Sequence, residues 1–329
     1  MKAVVYDEYG PPEVLHVEDI PKPDPKDEEI LVRVRATTVN FGDLMARNFA
    51  NLPLKKFYMP LPLYFPSRLY FGWSRPKVKI LGSEFSGWIE SVGGKVKNFK
   101  KGDEVFGYLG QKMSADAEYL TIKESGTVGL KPENMTHEEA ACIPYGMIMA
   151  YSHLGNVKIG EGSKVLVNGA SGGIGSSAVQ IARYRGAEVT GVSGEAGLEY
   201  VRSIGAEHVL DYRKQDFTKN GEKYDVIYDI LGKRRFSEVK GSLNEKGTYL
   251  NASFKTGKLL QMMGNPFRKK KIICKLAGER QDDLNTFKKM AEEGRIISLI
   301  DRIFSLEEAV EAHRYAESGL KKGSIVISV

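Results

Sequence analysis

Val165-Leu166-Val167-Asn168-Gly169-Ala170-Ser171-Gly172-Gly173-Ile174-Gly175 decides the fold of this chain. An apolar strand pattern runs into Asn168, a glycine-rich turn follows, and Ser176-Ser177-Ala178-Val179-Gln180-Ile181-Ala182 opens a helical pattern. Strand, glycine turn and helix in that order form a pyrophosphate-binding unit. The glycines let the backbone approach the phosphates, and the helix N-terminus presents free N–H groups at the positive end of its dipole. The plain alternative is an ordinary turn into a helix, and the flanking strand and helix raise the motif above it. Gly172 stands where the backbone meets the pyrophosphate and Gly175 where helix closes on strand. Ala170 replaces the first glycine of the Gly-x-Gly-x-x-Gly pattern, and Ser171, Gly173 and Ile174 complete the turn.

Downstream, strands and helices alternate. Residues 188–192 read as a second strand, 198–204 as a helix stopped by Gly205, and 209–210, 225–228 and 248–250 as further strands. That rhythm implies a doubly wound parallel sheet covered on both faces. Upstream the chain is different. Ile30-Leu-Val-Arg-Val-Arg35 alternates, as does Gly87-Trp-Ile-Glu-Ser-Val92, and Gly93-Gly94 and Gly102-Asp103 punctuate them, so this part reads as a mostly-β domain. Thr136-His-Glu-Glu139 is a capping box ahead of a helix. The tail, from about Gly294, returns to mixed strand and helix, with a closing strand at 324–329. The division predicted is a catalytic domain of residues 1–124 and 294–329, and a dinucleotide-binding domain of residues 125–293.

The 329 residues suffice for two cores, and the 42% hydrophobic content suits a globular protein. No apolar run reaches the roughly 18 residues of a membrane span. A strand pattern begins almost at Met1, leaving no room for a signal peptide, and Cys142 and Cys274 are too few and too distant for a disulfide framework. A cytoplasmic setting with no membrane partner is the expectation. The net charge of +6 could suit nucleic acid, a membrane surface or a phosphate-rich cofactor, but the densest basic run, Arg268-Lys269-Lys270-Lys271, leads into an apolar strand, and no nucleic-acid module is recognisable.

Two regions bear on the ligand. NAD sites carry Asp or Glu at the end of the second strand, for the ribose 2′-hydroxyl. Here Ser193 holds that place, which favours NADPH, since a serine can hydrogen-bond a 2′-phosphate that a carboxylate would repel. Glu195 argues for NADH instead. Tyr212 and Arg213 follow the third strand, where they would bracket the adenosine phosphate or lie in an exposed loop. Residues 48–80 hold eight aromatic side chains, Tyr58 among them, and five prolines. One long helix is ruled out there. A wall over an apolar substrate pocket and a loop packed on the core or in a subunit contact are equally open.

The chain resembles the zinc-independent medium-chain dehydrogenase/reductases, in their quinone oxidoreductase branch, over nearly its full length. Asn40-Phe-Gly-Asp43, Leu81-Gly-Ser-Glu-Phe-Ser-Gly87, Lys101-Gly-Asp-Glu-Val105, Glu138-Glu-Ala-Ala141 with Pro144, and the Asn168–Gly175 turn carry the likeness. It implies a GroES-like β domain joined to a Rossmann domain, and a homodimer through the sheet edge near 271–276. Zinc-dependent members have ligands where Asn40, Ser83 and Tyr145 stand, so no metal is expected. Without a Lewis acid the substrate should be a small apolar electrophile, a quinone or an α,β-unsaturated carbonyl. An alcohol or aldehyde dehydrogenase, and a cofactor-binding protein with a non-catalytic role, are the alternatives. The likeness places Asn40 beside the nicotinamide ribose or the substrate, with Asp43 holding its segment or serving only as a helix-start carboxylate. The family's tyrosine two residues on is Met45 here, so Tyr145 becomes the substitute proton donor, with Tyr64 and Tyr70 behind it. Asn251, Ala252 and Ser253 end a Rossmann strand and should meet the nicotinamide, with Gly323 and Ser324 closing the other side.

Overall fold

In the computed structural model the described residues are 1–329 without 55, 56, 58, 59 and 255, so Tyr58 lies outside them. In chain order the elements are β1 (Lys2–Val5), β2 (His16–Asp19), β3 (Glu29–Thr38), α1 (Phe41–Arg47), α2 (Tyr64–Phe71), β4 (Glu84–Val92), β5 (Glu104–Tyr108), β6 (Tyr119–Lys123), β7 (Val128–Leu130), α3 (His137–Ala141) and α4 (Pro144–Leu154). They continue with β8 (Lys164–Asn168), α5 (Gly173–Tyr184), β9 (Glu188–Ser193), α6 (Leu198–Ser203), β10 (His208–Asp211), β11 (Tyr224–Asp229), α7 (Phe236–Val239), β12 (Leu243–Asn251), α8 (Thr256–Met262), β13 (Lys271–Cys274), α9 (Gln281–Glu292), β14 (Ile300–Ser305), α10 (Ala309–Glu317) and β15 (Ser324–Ser328). No helix among the described residues is long and apolar enough to cross a membrane.

Two compact units divide the chain. The first comprises Met1–Pro53, Phe65–Tyr145 and Glu279–Val329. Its main sheet runs β14-β15-β3-β4-β5-β7, with β6 also on β3. All its pairings are antiparallel except β14 with β15. The inward faces of β3 and β4 bury Ile30, Val32, Val34, Phe85 and Ile89 in one core. Alternation in β3 places Arg33 and Arg35 off that core, as the sequence pattern requires.

The second unit, Leu54–Tyr64 and Gly146–Gly278, holds a six-stranded sheet in the order β10-β9-β8-β11-β12-β13. All five pairings are parallel. This is the doubly wound order, and its direction of winding reverses between β8 and β11, where such sheets bind their ligands. The strands read as continuous apolar runs because both faces are covered: Val165, Leu166 and Val167 are fully buried.

The domain limits differ from those expected. Residues 125–145 and 279–293 belong to the first unit. Val128 in β7 pairs with Gly107 in β5, and Leu284 of α9 packs on Gly129. Pairing register decides membership here, and a three-residue strand carries too little pattern to reveal it.

Candidate active and dinucleotide-binding sites

The turn after β8 is built as its glycines suggest. Gly169 adopts φ +95°, open to glycine without strain. A Cβ on Gly175 would overlap the carbonyl oxygen of Gly169, so helix α5 can close on the strand only with glycine there. Gly172 is the N-cap of α5 and offers no side-chain acceptor. The N–H groups of Gly173, Ile174 and Gly175 therefore have no partner within the helix. A Cβ on Gly173 would meet no heavy atom within 4 Å, so the front of the turn is bare backbone. Ala170 is fully buried, and its methyl sits near Gly191 of β9, which is why a side chain is tolerated at that place.

Ser193 ends β9 buried, and its Oγ donates to Ser171 Oγ at 2.8 Å. Glu195, the residue arguing for NADH, is exposed and paired with Lys214 at 2.9 Å. Tyr212 is exposed, its ring against Gly194, with the Arg213 guanidinium 5.7 Å from the ring centre. One corner of the second unit thus collects a serine hydroxyl, two cations and an acid already answered by one of them. At the end of β12, Asn251 is fully buried, and among the described residues neither its amide atoms nor the buried Ser253 Oγ has a partner in hydrogen-bonding geometry. The N–H of Ala252 donates to Asp229 O. Orphaned polar atoms at the carboxyl ends of parallel strands, beside an uncapped helix N-terminus, fit a dinucleotide.

Asp229 was not anticipated from sequence. Fully buried at the end of β11, it accepts from Asn168 Nδ2, Gly232 N, Arg234 N and Tyr249 Oη. It ties the ends of β8, β11 and β12 together. A carboxylate closing the apolar run Tyr224–Asp229 is the signal that would have found it.

The first unit carries a buried polar cluster around Asn40. Asn40 is the N-cap of α1: its Oδ1 accepts from Gly42 N at 2.7 Å, and its backbone N–H donates to Asp43 Oδ2 at 2.8 Å. Its Nδ2 donates to Ser83 Oγ at 2.7 Å and towards Glu84 Oε2 at 3.5 Å. Both amide N–H groups are thus engaged inside the protein. Asp43, fully buried, also accepts from Gly82 N at 3.1 Å. Burial, with Asp116 and Glu84 close by, holds its carboxyl well above the usual range.

Glu84 is the second residue that went unassigned. Its Oε1 accepts from Tyr145 N at 2.7 Å, and Oε2 from Thr38 Oγ1. Burial lifts its carboxyl to about 7, against the pull of those donors and of Lys321. Asp116, fully enclosed and bonded by Thr37 Oγ1 at 3.1 Å, is lifted to about 7 by the same cause. The signal was present in Leu81-Gly-Ser-Glu-Phe-Ser-Gly87, an acid inside an apolar strand entry. Tyr145 has its ring 6.1 Å from that of Tyr108, and burial keeps its phenol protonated far above neutrality. Its hydroxyl has no hydrogen-bond partner among the described residues. Tyr64 and Tyr70 lie on α2, where Tyr70 is exposed. Gly323 and Ser324 fall in the first unit, at the start of β15, with Ser324 N donating to Leu299 O.

Zinc ligation finds no donor set at the three inherited positions. Asn40 turns N–H donors, not lone pairs, toward Ser83 and Glu84. Among the described residues no three His, Cys, Asp or Glu side chains converge as a metal site would need.

Comparison with known proteins agrees with this architecture. Residues 26–151 match the alcohol dehydrogenase GroES-like domain, and residues 204–327 match the zinc-binding dehydrogenase model. The 2-methylene-furan-3-one reductase of Solanum lycopersicum is 30% identical over 99% of this chain and 79% of its own length. The quinone oxidoreductase of Homo sapiens is 34% identical over 75% of this chain and 71% of its own. The chain belongs to the medium-chain dehydrogenase/reductases, in the quinone oxidoreductase branch. The solved quinone oxidoreductase from Coxiella burnetii, 26% identical, superposes with a TM-score of 0.84, covering 100% of this chain and 99% of that one. This medium-chain reductase therefore has the GroES-like and Rossmann units that the resemblance implies.

Proposed function

We propose that this chain is an NADPH-dependent oxidoreductase that reduces a quinone or an α,β-unsaturated carbonyl without a metal ion. The uncapped N-terminus of α5 at the reversal point of the parallel sheet carries the reading. The bound dinucleotide supplies hydride. The N–H groups of Gly173, Ile174 and Gly175 hold its pyrophosphate. Arg213 receives the 2′-phosphate, with Ser193 joining it once its hydroxyl turns from Ser171, and Lys214 keeps Glu195 from repelling it. Asn251, Ala252 and Ser253 orient the nicotinamide.

Tyr145 hydrogen-bonds the substrate oxygen as negative charge develops on it, a role suited to a phenol that keeps its proton. Asn40 and Asp43 act as positioning residues, because their hydrogen-bonding groups are spent within the protein. The relatives named as quinone oxidoreductase and as a furanone reductase support an activated acceptor. β13 lies at the sheet edge with β12 as its one neighbour, which supports a homodimer through that edge.

The experiment is a turnover panel of quinones, enones and saturated aldehydes with NADPH and with NADH. Turnover of quinones or enones, faster with NADPH, is expected. Turnover confined to saturated aldehydes would make the chain an alcohol or aldehyde dehydrogenase.

A further inference from the structure

The segment after α1 has a charge unlike the rest of the chain. Between Asp43 and Glu84 there is no Asp or Glu. Beyond the buried Arg47, that stretch carries Lys55, Lys56, Arg68, Arg75, Lys77 and Lys79, of which Lys79 is paired with Asp7. The formal net charge is +6, so the remainder of the chain is balanced and the excess lies here.

The same segment exposes large apolar side chains. Phe65 and Leu69 stand one turn apart on α2, 58% and 57% exposed. Trp73, 54% exposed, follows the helix and closes on Phe65, ring centres 5.5 Å apart. The Arg68 guanidinium lies 5.0 Å from the Trp73 ring. Arg75 and Lys77 are exposed beside them, and Lys77 Nζ donates to Leu69 O at 2.8 Å. No residue of α2 is fully buried: Tyr64 and Phe71 pack on Phe57 and Phe49, while Phe65, Leu69 and Tyr70 are left facing outward.

We propose that α2 and the turn after it form an interfacial docking element for a bilayer carrying anionic lipid. Phe65, Leu69 and Trp73 enter the boundary between headgroups and acyl chains, while Arg75 and Lys77 meet lipid phosphates. Exposed aromatic and apolar side chains rimmed by cations, with no acid across the whole segment, match such a surface on both counts. A second copy of the chain matches less well, since a symmetric contact would set one cationic segment against another. The expectation of no membrane partner rests on the lack of a spanning run and on Arg268–Lys271, the densest basic run, leading into a strand; the cations of this segment are more widely spaced. Docking at the surface needs no span.

The test is sedimentation of the full chain with vesicles of phosphatidylcholine alone and of phosphatidylcholine doped with phosphatidylglycerol. Binding to the doped vesicles only is expected, weakening by about tenfold or more at high salt. The chain has two tryptophans. Trp73 emission should shift to the blue on binding, and Trp73→Phe should abolish the shift with little loss of binding. Leu69→Ser with Trp73→Ser, and separately Arg75→Glu with Lys77→Glu, should each weaken binding by about tenfold or more. Absence of binding to anionic vesicles would overturn the proposal, as would unchanged binding in both pairs of variants. It would also fall if these variants turned a dimer into a monomer without changing vesicle binding.

Discussion

Glu84→Gln should change how stability depends on pH. Glu84 is enclosed in the first unit, and burial lifts its carboxyl from 4.5 to about 7. A raised carboxyl binds its proton more tightly in the folded chain than in the unfolded one. Its contribution is therefore most favourable below about 4.5 and is lost as pH rises through about 7. The span from 4.5 to about 7, at 1.36 kcal/mol per pH unit, amounts to roughly 3 kcal/mol. Glutamine has no charge to desolvate, so this loss is absent from the variant. It keeps one acceptor for Tyr145 N, but its amide then faces Asn40 Nδ2, a mismatch costing about 1–3 kcal/mol at every pH. The variant should be the less stable protein at pH 5, and the deficit should close or reverse by pH 8. Urea unfolding of both proteins at several pH values, followed through Trp88 on β4, measures this. Asp43 and Asp116 remain in both proteins, and because the Glu84 charge helps lift Asp43, the difference reads Glu84 together with the relief of its neighbour. A difference of constant size from pH 5 to pH 8 would refute the reasoning.

Three further outcomes follow from the same geometry. Gly175→Ala should destabilise the fold by about 1–3 kcal/mol and abolish NADPH binding, because the new methyl meets the Gly169 carbonyl; Gly173→Ala, with open space around it, should keep the melting temperature of the parent. Arg213→Ala should raise KM for NADPH by roughly 10- to 100-fold, as expected for loss of a charge-assisted hydrogen bond, while leaving KM for NADH unchanged; equal effects on both cofactors would remove Arg213 from the 2′-phosphate. Tyr145→Phe should leave unfolding within about 0.5 kcal/mol of the parent, since its hydroxyl has no partner to lose among the described residues, and should lower kcat by about 100-fold or more; an unchanged kcat would remove Tyr145 from the reaction.

How much of this was legible beforehand depended on the length of the pattern. The β8–turn–α5 unit is local, so its strand, its glycines and the exposed front of its helix all follow from eleven consecutive residues. That the second unit's strands run parallel followed from alternation of strand and helix, while their order came from the structure. What stayed hidden was long-range. β7 has three residues and joins the first unit only through pairing with β5. Asn40 reads as a free amide until the structure shows Ser83 and Glu84, more than 40 residues on, taking both its N–H groups. Glu84 is one letter inside the Leu81–Gly87 motif, and its burial, not its identity, is what gives it work. Sequence shows the Ser193 hydroxyl, but the Lys214–Glu195 pair beside it exists only in three dimensions. The aromatic stretch 48–80 admitted two opposite readings because aromatic residues do not declare whether they face inward. On α2, Phe65 and Leu69 face outward.

The central claim is that hydride passes to an acceptor activated by its own conjugation and not by a metal. Reduction of an enone with NADPH deuterated at the transferable position, by protein dialysed against a chelator, tests this most directly. Product carrying the deuterium on the β-carbon, at a rate unaffected by dialysis, is the result the account predicts. Deuterium on the carbonyl carbon, or a rate restored only by added zinc, would contradict it.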